Sequence, residues 1–172
     1  MNWRKHLCPL MVSILLVSFV LSGATAMDND AARASLRGIE AIRLAVEELT
    51  PEIEKEGLNS DQIHSAVEQQ LREAGIKTVA DDKLPFLLVS TAIAKFGRNH
   101  YLYTVKVELY QIAVPYRFLA EKEGSSSVQN ALFASTWSSP GGMGATVNLE
   151  ETKTFLKAEV AKFIEAFRAS NR

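Results

Sequence analysis

In "LRGIEAIRLAVEEL", Ile42, Leu44 and Val46 alternate with Arg43, Ala45 and Glu47. Period-two alternation predicts a strand with one buried face. "TPEIEKEG" predicts a single helical turn, with Thr50 as its cap, Pro51 in the first position and Gly57 closing it. In "LNSDQIHSAVEQQLREAG" the period changes. Ile63, Val67, Leu71 and Ala74 form one apolar stripe, Asn59 and Gln62 have capping-box spacing, and Gly75 stands where a left-handed cap belongs. "IKTVADD" then predicts a short strand, which makes a strand–helix–strand unit.

After Pro85, "FLLVSTAIAKF" and "YLYTVKVELYQIAV" predict two strands joined by "GRNH", with Gly97 and Asn99 available for positive φ. Tyr103, Val105, Val107 and Leu109 share a face in the second run, opposite Thr104, Lys106, Glu108 and Tyr110. "AEKEGSSS" predicts a loop and "VQNALFASTW" a last strand. A long helix follows from Leu149 to about Ala169, with Leu156, Val160, Phe163 and Phe167 as its core stripe and Phe155 and Ile164 widening it. Asn148 and Glu151 are spaced as a capping box, and Glu159 with Lys162 and Glu165 with Arg168 as surface ion pairs. The predicted fold is α+β: one domain over residues 36–172, helices packed on a mostly antiparallel sheet.

The first 26 of the 172 residues read as an address. Arg4 and Lys5 precede an apolar run from Leu10 to Leu21, and Ala24 and Ala26 form an A-x-A cleavage pattern. A run of about a dozen residues is shorter than the ~20 that a membrane-spanning helix needs. The expectation is an exported chain cleaved after Ala26, a flexible leader over 27–35, and no membrane insertion of the mature protein. Cys8, the single cysteine, lies before the apolar core, so lipidation at the cleavage point and disulfides are both unexpected. Cleavage removes two cations and no acid, leaving 17 basic and 20 acidic residues, a formal charge of −3. That balance offers no footprint for nucleic acid.

The stretch "STWSSPGGMGATVNLEE" places Gly141, Gly142 and Gly144 ahead of a helix. A phosphate loop would need Lys and Ser or Thr after its last glycine, and here Ala145, Thr146 and Val147 follow. Glu150 and Glu151 would repel a phosphate at that helix start. The stretch therefore reads first as a connector, with Trp137 packed at its base. Its second reading is an exposed, adaptable surface of Trp137, Pro140 and Met143, joined by Tyr110 and Tyr116 on a nearby face. His64 and His100 have no partner at metal-ligand spacing, and no serine sits in a nucleophile elbow. Neither an enzyme nor a cofactor is expected.

"GIEAIRLAVEEL", "LREAGIKTV", "YTVKVELYQ" and "FASTWSSPGGMG" before an amphipathic helix resemble a group of small exported bacterial proteins of unknown function. The layout is also similar to the N-terminal α/β domain of the periplasmic protein TolB and to envelope-assembly lipoproteins. The resemblance implies fold and compartment and no activity. Two functions remain: a non-enzymatic domain that binds an envelope protein or itself, and a small-molecule binder with a pocket between sheet and C-terminal helix, lined by Trp137 and Phe163.

Overall fold

The computed structural model describes residues 28–81, 85–115 and 131–172. The expected signal peptide, Asp82, Tyr116 and the expected loop after Ala120 lie outside the described residues. The chain is a single α+β domain. Its elements are α1 (Asp30–Ala34), β1 (Ala41–Val46), α2 (Pro51–Lys55), α3 (Ser60–Glu73), β2 (Lys77–Thr78), β3 (Phe86–Phe96), β4 (His100–Ala113), β5 (Leu132–Ser138), β6 (Gly142–Thr146) and α4 (Leu149–Ser170).

The sheet runs β2-β1-β3-β4-β5, and β6 pairs with β4 beyond the end of β5. β1 is parallel to β2 and β3, whereas β3–β4, β4–β5 and β4–β6 are antiparallel. α3 is capped as its sequence indicates. The Asn59 side chain accepts from the Gln62 N–H at 2.8 Å, and Gly75 adopts φ +79° after the last turn. The β3–β4 turn uses Gly97 at φ +68°. Asn99 stays at negative φ, so one left-handed residue suffices there.

Two segments differ from the sequence reading. Within the expected leader, Asp30–Ala34 is helical: Asn29 accepts from the Ala32 N–H at 2.9 Å, and Ala32 and Leu36 are buried. Helix propensity is too weak to reveal five residues that are fixed by tertiary contacts. Asp28 pairs with Arg33 at 2.7 Å and accepts from the Trp137 indole at 3.0 Å. The second difference is β6. The expected connector contains a strand, because Gly142–Thr146 pairs with Val105–Tyr101 of β4.

One core lies between the sheet and its helices. Leu87, Val89 and Ile93 of β3 and Tyr101, Val105, Val107 and Leu109 of β4 face inward, against Leu156, Val160 and Phe163 of α4. Trp137 and Phe163 meet edge to face at 5.3 Å, and both are fully buried. That contact corrects two expectations. Trp137 belongs to the core and is no part of an exposed surface, and the rings expected to line a pocket fill the space between them.

Candidate interaction face

Strand alternation sends Phe86, Leu88, Ala92 and Ala94 of β3 to the side away from the core. Leu102, Thr104, Tyr110 and Ile112 of β4 join them, because the register sets Ala94 beside Leu102, Ala92 beside Thr104 and Phe86 beside Tyr110. Met143 and Ala145 extend this face on β6, opposite Thr104 and Leu102, and Phe133 of β5 lies opposite Ile112. No described helix covers this side. Leu102 is 46% exposed, Ile112 60%, Phe133 55% and Met143 73%.

The face has two apolar ends and a charged middle. At one end Phe86 and Tyr110 stack at 5.0 Å with ring planes 5° apart, and Phe133 lies 6.0 Å from Phe86. The Arg43 guanidinium sits 5.1 Å above the Phe86 ring, a cation–π contact. At the other end, a shallow groove of about 200 Å³ is lined by Ala92, Ala94, Leu102, Thr104 and Met143, with Ile93 and Tyr103 at its floor. Between the ends, Lys106 pairs with Glu108 at 2.9 Å, and Glu108 also accepts from Ser135 Oγ at 3.2 Å.

The glycine stretch positions Met143. Ser139–Gly141 bulges out of the edge: the Ser139 N–H donates to the Val107 carbonyl at 2.8 Å, and the Val107 N–H donates to Ser139 Oγ at 3.1 Å. Gly141 adopts φ +66°, and a Cβ there would stand 2.9 Å from the Val105 carbonyl oxygen. Its N–H donates to Ser139 Oγ at 3.2 Å and to Glu159 Oε2 at 3.1 Å. Glu159 is 1% exposed and is paired with Lys162 at 2.6 Å, so the expected surface pair holds the bulge from inside. Gly142 and Gly144 face inward under aromatic rings. A Cβ on Gly142 would meet Phe155 at 2.2 Å, and one on Gly144 would meet Tyr103 at 2.5 Å. The glycines let a backbone pass beneath rings.

Of the residues singled out in the sequence, the structure gathers Met143 and Tyr110 on the outer face, although at opposite ends of it. Pro140 is exposed on the bulge, and Trp137 is inside. Sequence reasoning missed Phe86, Leu102, Ile112 and Phe133. The available signal was that "FLLVSTAIA" is apolar at nearly every position, where a strand with one wet face should alternate.

Glu56 bridges Lys95 and Tyr101. The Lys95 ammonium beside Glu56, and then the Tyr101 hydroxyl, hold its carboxyl below the usual range. Lys95 is pushed up by Glu56, and Tyr101 is pushed up by burial and then by Glu56. Both groups keep their protons, which is the opposite of an activated base or nucleophile. His64 lines an open cleft of about 430 Å³ with Arg43, Glu68 and Thr78. His100 lies 5.3 Å from the Phe96 ring. Among the described residues, no three His, Cys, Asp or Glu side chains stand together as a metal site would need. Among the same residues, no helix is long and apolar enough to cross a membrane.

No family model matches the chain, and no curated protein does. Among solved structures, the chain is similar to a PelC dodecamer from Paraburkholderia phytofirmans. That match has 13% identity, 77% of this chain and 88% of that one covered, and a TM-score of 0.38. It is also similar to a minor lipoprotein from Acinetobacter baumannii, at 8% identity, with 77% of this chain and 93% of that one covered and a TM-score of 0.29.

Proposed function

We propose that this chain is an exported, non-enzymatic interaction domain of the bacterial envelope, and that the outer face of its sheet is the docking surface. One observation carries the reading: an uncovered outer face with apolar residues at both ends, where Leu102, Ile112, Phe133 and Met143 are all about half exposed or more. Exposed apolar patches rimmed by polar residues mark contact sites. Methionine and aromatic side chains are those favoured at interface centres. The compartment rests on the cationic start, apolar run and A-x-A pattern of residues 1–26. Photo-crosslinking in living cells tests the reading, with the reactive group at Met143 and a control at the exposed Asp61 of α3. A discrete adduct from Met143 and none from Asp61 is the expected result. An unreactive Met143 would refute the face as a docking surface.

A further inference from the structure

Building on the outer face as docking surface, we infer that its occupant is a second copy of this chain. The two sheets pack face to face about a two-fold axis that sets β4 antiparallel to the β4 of the other copy. The first reason is area. At roughly 200 Å² for a large side chain, the exposed parts of Leu102, Ile112, Phe133 and Met143 amount to about 470 Å². Tyr110 and the small residues between them bring the face near the ~800 Å² that each partner gives to a stable interface.

The second reason is charge. Lys106 and Glu108 lie two residues apart on one strand, both directed outward, and Lys106 keeps 40% of its side chain exposed. A uniformly charged partner would meet one attraction and one repulsion there. A copy turned about the two-fold presents its Glu108 to Lys106 and its Lys106 to Glu108, which is the reciprocity of an isologous contact. The same rotation lays the aromatic end with Tyr110 and Phe133 on the Met143 and Leu102 end of the other copy. Thioether–ring contacts are favourable in such a setting. Two sheets stacked at about 10 Å and crossed by about 30° form an ordinary sandwich core.

Sedimentation of the protein as cells make it, over a concentration series up to about 0.5 mM, reads the association constant. The expected result is a dimer that Lys106→Glu and Glu108→Lys each weaken at least tenfold, with unchanged circular dichroism. Mixing the two variants restores it, because each supplies the charge that the other lacks. A protein that stays monomeric throughout would overturn the inference, and so would a dimer that neither substitution weakens. The Met143 crosslink separates this failure from failure of the underlying reading. An adduct at twice the chain's mass supports self-association. An adduct with a different protein from a chain that is monomeric in solution overturns self-association and leaves the docking face standing. No adduct at all refutes both.

Discussion

Replacing Gly144 by alanine puts a single methyl group where the structure has little room for one. Its Cβ would lie 2.5 Å from Tyr103 Oη and 2.6 Å from Tyr103 Cζ. Carbon atoms rest at about 3.5–4.0 Å, so the ring must withdraw by about 1 Å. Retreat is obstructed, because Tyr103 leans on Phe155 with ring centroids 5.7 Å apart, and Phe155 itself fills the space over Gly142. Overpacking of this kind costs about 1–3 kcal/mol. Alanine recovers about 0.5–1 kcal/mol of backbone entropy relative to glycine, which leaves a net loss of about 1–2 kcal/mol.

Urea denaturation measures this as a lower midpoint at unchanged slope. The cause is tested by a double-mutant cycle with Tyr103→Ala, which clears the ring from the site. On that background Gly144→Ala should become neutral or mildly stabilising, a coupling of about 1 kcal/mol or more. If the substitution costs the same on both backgrounds to within about 0.3 kcal/mol, the ring is not the reason for the glycine. The close-approach account of β6 would then fail.

At the bulge, Lys162→Met should destabilise more than Glu159→Leu. The first strands a carboxylate that is 1% exposed, whereas the second removes that carboxylate and leaves the Gly141 N–H its other acceptor, Ser139 Oγ. Because Lys162 is 43% exposed, the loss is discounted from the full cost of breaking a buried pair to about 1–2 kcal/mol. Denaturant midpoints in the reverse order would refute this account. Asp28 gives a pH test. The Arg33 guanidinium chiefly, and the Trp137 indole N–H also, lower its pKa from 3.8 against an opposing effect of burial. A carboxylate with a depressed folded pKa stabilises above its unfolded value and loses that contribution as pH falls through the folded one. Between pH 5 and pH 2, about the span over which such a pair is lost, the melting temperature of Asp28→Asn should therefore fall less than that of the parent. Parallel curves would show that the pair adds nothing.

The pattern of the chain reveals its regular elements and fails where the period is interrupted. Helices α3 and α4 are legible because a 3.6-residue stripe meets Asn caps, and the β3–β4 hairpin because two long runs flank "GRNH". The neighbourhood of Trp137 is not legible in this way. Phe133, Ser135 and Trp137 have the same parity, so plain alternation puts all three on one face. In the structure Tyr110 pairs with Ser135 and Leu109 with Trp137, which leaves Thr136 as an extra residue and turns Trp137 inward. Thr136 is held there by Gln111, whose Nε2 donates to its hydroxyl at 2.7 Å. Nothing in one-dimensional spacing marks a bulge made by a threonine. Glu159 was misread for a similar reason, since its buried partner, the Gly141 N–H, is a backbone group on another element.

The second bulge decides which side of the sheet Met143 occupies. Ser138 pairs with Glu108 and Gly142 with Val105, so three residues on the edge span two on β4. A shift of one residue in a strand exchanges its faces. If the edge paired one to one without the bulge, Met143 would stand opposite Tyr103 and be driven against its ring and that of Phe155, while Gly142 and Gly144 would turn outward. Deleting Pro140, the exposed residue of the bulge, leaves two residues against two and keeps Gly142 opposite Val105, so its cost is loss of the Gly141–Glu159 contact, about 1–3 kcal/mol. Crosslinking from position 143 should persist in the folded deletion variant, because Met143 keeps its place opposite Thr104. An unreactive Met143 in a folded deletion variant would mean that the edge re-forms its register elsewhere.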